Sequence, residues 1–107
     1  MTAGQKNTRV VFERATVVPD DYGQEIEIWA PIGRAWAAIN WGRGDERRQA
    51  AIESGSLSAT FTVYDNAMTR GLGLKDRLML EGAAWDITSS VPGKERGDRD
   101  ITAVRAL

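Results

Sequence analysis

Bond-making and bond-breaking at neutral pH ordinarily recruit a histidine or a cysteine, and this chain contains neither. Carboxylates, lysines and hydroxyls remain. Asp20 and Asp21 are adjacent, but they sit in Pro19-Asp20-Asp21-Tyr22-Gly23, where proline presets φ, aspartate bonds nearby amides and glycine accepts positive φ. Neighbouring side chains on such a turn diverge, so the pair reads as turn chemistry. Asp98 and Asp100, flanked by Arg96 and Arg99, read as a solvated loop of mixed charge. Gly71-Leu72-Gly73 lacks the third glycine of a dinucleotide fingerprint and the lysine-threonine pair of a phosphate loop, and so reads as a turn. No calcium-type run of oxygen ligands occurs, and thiolate metal sites are impossible without cysteine. The expectation is no catalytic residue, no metal and no cofactor.

What remains is contact chemistry. Trp29, Trp36, Trp41 and Trp85 offer aromatic faces of the kind that stack on nucleic-acid bases, but arginines and lysines do not interleave with them. Trp36 and Trp85 are therefore expected in the core, with Trp29 and Trp41 as candidate interface aromatics. Fourteen basic and fifteen acidic groups leave a formal charge of −1, so no bulk positive field draws in duplex DNA. The segment Gly42–Gly55 concentrates Arg43, Asp45, Glu46, Arg47 and Arg48 between flanking glycines, a polar tip that no core would accept. It is read as an exposed excursion between two strands, mobile or briefly helical over Glu46–Glu53, and as a functional arm.

The elements that must carry these residues are strands. Thr8–Arg14 alternates, with Val10 and Phe12 together on one face. Gln24–Ala30 alternates again, with Ile26 and Ile28 together, and Pro31 and Gly33 are expected to end it. A further strand, Arg34–Trp41, sets Ala35, Ala37 and Ile39 against Trp36 and Ala38. Ser56–Asp65 sends Leu57, Ala59, Phe61 and Val63 inward. Leu74, Leu78 and Leu80 share a face before Glu81-Gly82 turns the chain into Trp85 and Ile87, and Ile101–Leu107 closes it.

Residues 1–107 suffice for one domain with one modest core. An apolar content of 42% against 27% charged is that of a folded globular unit, not a disordered one. The expected fold is all-β, a small antiparallel β-barrel or sandwich with one long polar loop or short helical excursion. No membrane span or secretory h-region is read in the chain, and the lack of cysteine fits a reducing cytoplasm.

Several segments, taken in order, carry a resemblance: Arg9–Arg14, Asp21-Tyr22-Gly23, Trp29, Trp36-Ala37-Ala38-Ile39, Thr60-Phe61-Thr62-Val63, Lys75-Asp76-Arg77-Leu78, Glu81-Gly82 and Trp85-Asp86-Ile87. Over nearly the whole chain the sequence resembles the head-tail joining (head closure or stopper) proteins of siphovirus-type phages and gene transfer agents. It departs from them at Trp41, where a proline is common, and at Asp45-Glu46-Arg47-Arg48, where a more aromatic stretch is usual. The resemblance implies a structural, non-enzymatic subunit of the virion neck, assembled in the bacterial host cytoplasm. Its implied partners are copies of itself in a hexameric or dodecameric ring, a portal or adaptor protein above, a tail terminator or tail tube protein below, and duplex DNA passing through the lumen without tight binding. A small barrel that binds single-stranded nucleic acid or a ligand is the alternative.

Overall fold

The computed structural model describes residues 5–41 and 55–106. Arg43, Asp45, Glu46, Arg47 and Arg48, with the helical excursion expected around them, lie outside the described residues. Six antiparallel strands follow in chain order: β1 (Thr8–Pro19), β2 (Glu25–Asn40), β3 (Ser56–Tyr64), β4 (Arg77–Leu80), β5 (Ala83–Pro92) and β6 (Asp98–Ala106). They close on themselves as a barrel in the order β1-β2-β3-β6-β5-β4, as the all-β reading expects. A short helix, α1 (Ala67–Arg70), carries the chain from β3 across one end of the barrel to β4 beside β1.

Inward alternation builds the core. Val10 and Phe12 from β1, Phe61 and Val63 from β3, Leu78 from β4 and Ile101 from β6 are fully buried around Trp85. A tryptophan fits in so narrow a barrel because Ala37, Ala59 and Ala103, all fully buried, yield space from facing strands. Phe61 meets Trp85 edge-on with ring centroids 5.5 Å apart, a favourable quadrupole geometry. Leu80 and Ala83 flank a two-residue turn in which Glu81 and Gly82 both take positive φ, the conformation that matches strand twist in tight hairpins.

Four expectations are corrected. The break expected at Pro31 and Gly33 is a β-bulge within one continuous 16-residue strand. Phe12 pairs with Gly33 and Glu13 with Pro31, so Ile32 is the extra residue. Pro31 is tolerated because, among the described residues, β2 has only β1 beside it at that point, as on an edge strand, and the bulge lies next to it. Trp36, expected in the core, projects outward from β2 and is 48% exposed, because alternation places Ala35 and Ala37 inside. Leu74 precedes β4 and is exposed, so it does not share the face of Leu78 and Leu80. Asp98 and Asp100 belong to β6, where Asp98 pairs with Lys6 at 3.0 Å and Asp100 accepts a hydrogen bond from Thr62 at 2.7 Å.

Candidate functional site

The largest departure from a plain barrel is the β1–β2 hairpin. Among the described residues β1 pairs with β4 only over Val11–Glu13, and β2 pairs with β3 only over Ala38–Asn40. Beyond Glu13 the two strands therefore continue as a two-stranded arm, roughly 20 Å long at the rise of an extended strand. Its tip is set by Asp20, whose carboxylate accepts from the amides of Tyr22 and Gln24 at 2.8 Å each, while Gly23 turns with φ +81°. This is the turn expected from Pro19–Gly23.

One face of the arm carries Thr16, Val18, Ile26 and Ile28, and the other carries Val17, Pro19, Glu25, Glu27 and Trp29. Ile26 and Ile28 are 44% and 49% exposed, so their shared face covers no core.

Two ion pairs fix the arm where it leaves the barrel. Arg14 donates through Nε and Nη2 to the two carboxylate oxygens of Asp76, at 2.9 Å each, and from Nη2 to the carbonyl of Gly71 at 3.0 Å. Asp76 also accepts from the Gly73 amide at 2.9 Å and is itself buried. The segment after α1 is thereby tied to the root of the arm. On the opposite face Arg77 donates to Glu13 at 2.8 Å and lies over the Trp29 ring, 4.1 Å from its centroid.

The Arg14 hydrogen bonds hold the Asp76 carboxyl below its ordinary range, against the opposing effect of burial and with help from the Gly73 amide. The same pairing raises Arg14. A lowered carboxyl contributes stability that is complete above the ordinary carboxylate value and is lost as pH falls from there through the lowered value. Asp76→Asn is expected to cost about 1–2 kcal/mol at neutral pH, a charge-assisted pair discounted for the half-exposed arginine. In denaturant titrations the gap between wild type and variant should close on acidification. A gap unchanged down to about pH 3 would show that the pair contributes nothing through its charge.

The structure places the two candidate interface aromatics far apart. Trp29 lies at the arm's root under Arg77, and Trp41 follows the far end of β2, its ring 5.8 Å from that of Trp85 and 43% exposed. Nearly the whole of β2 separates them, so they do not flank a common groove. Trp36 lies on the outer wall between them, with the Arg9 guanidinium 5.2 Å from its ring centroid. The long-range partners Arg14–Asp76 and the Arg77–Trp29 stack carry no local sequence signal. Among the described residues no cluster of three or more acidic, histidine or cysteine side chains is arranged to hold a metal, and no helix is long and apolar enough to cross a membrane.

Among the described residues, a surface of strands, ion pairs and exposed apolar groups is suited to contact. Two solved structures share its fold. The solution structure of protein SF1141 from Shigella flexneri 2a superposes with a TM-score of 0.69 at 18% identity, covering 99% of this chain and 96% of that one. A chain of the virion of a native gene transfer agent particle superposes with a TM-score of 0.62 at 18% identity, covering 94% of each. No curated protein sequence matches. The family model for phage head completion proteins matches residues 1–106. The chain belongs to the phage head completion protein family, structural proteins of the virion.

Proposed function

We propose that this protein is a head-tail connector subunit of the stopper or head-closure type: one member of a ring below the portal and its adaptor that retains packaged DNA and offers the tail its attachment surface. The observation that carries the reading is the family match over residues 1–106 on a barrel that projects a long arm from its wall. A closed barrel needs no neighbour to satisfy its strand edges, so the projecting segments are free to make contacts between subunits. Balanced charge suits a lumen through which duplex DNA must slide, because counterion release onto a strongly basic track would hold it. In this reading the segment Gly42–Gly55, with Arg43, Asp45, Glu46, Arg47 and Arg48, reaches into the lumen or onto a neighbouring subunit. Assembly takes place in the host cytoplasm, in a ring of six or twelve copies.

Electron microscopy of particle necks, with and without this chain, tests the reading. Particles containing it should show a ring of it between portal and tail. Heads made without it should be found empty and tailless. Full, tailed particles formed in its absence would overturn the assignment.

A further inference from the structure

The arm has a charge of its own. Residues 15–30 contain Asp20, Asp21, Glu25 and Glu27 and no lysine or arginine, a formal −4 that leaves fourteen basic against eleven acidic groups in the rest of the chain. Glu25 and Glu27 lie beside Pro19 and Val17 on one face, so that face presents an acidic column next to an apolar one.

The matching surface lies nearer the barrel on the same two strands. Arg9 pairs with Trp36 and Val11 with Arg34, all four pointing outward, so two arginines and two apolar groups alternate in a square. Arg9 and Arg34 are exposed and have no acidic partner among the described residues. The arm cannot fold back onto this square, because both belong to the same paired ribbon, separated by the bulge and the root ion pairs. Only another molecule can bring the two surfaces together. A two-stranded ribbon is also marginally stable alone in water and gains from a surface to lie on.

We propose that the arm of one copy lies on the outer wall of the next, with Glu25 and Glu27 against Arg9 and Arg34 and with Val17 against Trp36. The contact joins two different surfaces of identical chains, so it is head-to-tail and closes into a ring when the rotation per subunit allows. This inference rests on the ring reading above and specifies which surfaces build it.

The absence of cysteine makes the test direct. Two doubly substituted chains, Glu27→Cys with Arg34→Cys and Glu27→Cys with Arg9→Cys, are incorporated into particles and oxidised. Within one chain roughly 20 Å of extended strand separates Glu27 from Arg34 and roughly 26 Å separates it from Arg9, beyond the Cα reach of about 7 Å for a disulfide. Any bond must therefore join two copies. At least one design should give a ladder of linked species ending at the ring size, reversed by reductant, with each single substitution giving no ladder. A second readout uses charge: Glu25→Arg with Glu27→Arg should strip the subunit from purified heads, and adding Arg9→Glu with Arg34→Glu should restore it. Rings visible in the neck with neither ladder nor charge rescue would overturn the arm contact while leaving the ring reading intact. Dimers from Glu27→Cys alone would replace it with an arm-to-arm contact. Necks with no ring of this chain would remove both.

Discussion

Trp85→Ala should cost about 3–5 kcal/mol, the usual range for truncating a buried large aromatic. Small domains have total stabilities of roughly 5–15 kcal/mol, so the variant should lie at or near the edge of folding. The ring is 1% exposed, packs edge-on against Phe61 and supports Trp41. The surrounding alanines cannot expand to fill the space it leaves, and strands locked into a closed barrel cannot collapse far. Trp85→Phe should be far milder. It keeps an aromatic ring against Phe61 and removes an indole N–H for which the described residues provide no acceptor. Trp41→Ala loses only a half-exposed partner and should cost about 1 kcal/mol. Urea unfolding followed by far-UV circular dichroism ranks the three. A Trp85→Ala protein within about 1 kcal/mol of wild type would mean that the core tolerates a cavity its packing argues against.

The second large effect is expected in particles, without a matching effect on the fold. Replacing Gly44–Ser54 by a short Gly-Ser link should leave the melting transition within a few degrees of wild type. The described strands build a core around Trp85 from their own residues, and changing the length of a loop costs little entropy. If the segment contributes one contact per subunit around a ring, its loss is multiplied by the number of subunits, and avidity should fall by on the order of a hundredfold or more. Heads should then leak DNA or fail to hold tails. Fully active particles from the shortened chain would show the segment to be dispensable.

How far the sequence reveals this structure depends on the range of each cause. Period-two alternation is local, so β1, β3 and the β4–β5 hairpin are legible from Val10, Phe12, Phe61, Val63, Trp85 and Ile87. Pro31 and Gly33 mislead because both are strand breakers in the abstract, whereas here a bulge takes them in on a stretch of β2 that pairs, among the described residues, with β1 alone. Gly33 in addition lets the Met68 side chain approach closely: a β-carbon there would stand 2.7 Å from Met68 Cγ. α1 is too short for periodicity. Its one signal is Asn66 followed by Thr69, whose side chains and amides exchange bonds at 2.9 Å in a capping box. Trp36 misleads because aromatic bulk suggests burial where its alternation parity does not. In Lys75-Asp76-Arg77-Leu78, one of the segments that carry the family resemblance, three residues have physical work: Asp76 holds Arg14, Arg77 bridges Glu13 and Trp29, and Leu78 fills the core. Partners 62 and 64 residues apart leave no trace in local pattern.

The bulge at Ile32 also sets a phase. Above it the odd-numbered residues of β2, Gly33 to Ile39, face the barrel interior; below it the odd-numbered residues, Glu25 to Pro31, face away. One inserted residue therefore inverts the parity of everything toward the tip, so the isoleucines continue the interior side and the glutamates the exterior. Taking Ile32 into the ladder opposite Glu13 would shift the lower half of β2 by one place and exchange the two, whereas deleting it would keep both the pairs and the faces. The character of each side of the arm thus depends on one residue at its root standing outside the ladder, and a slip that paired it would reverse both sides without altering any side chain of the arm.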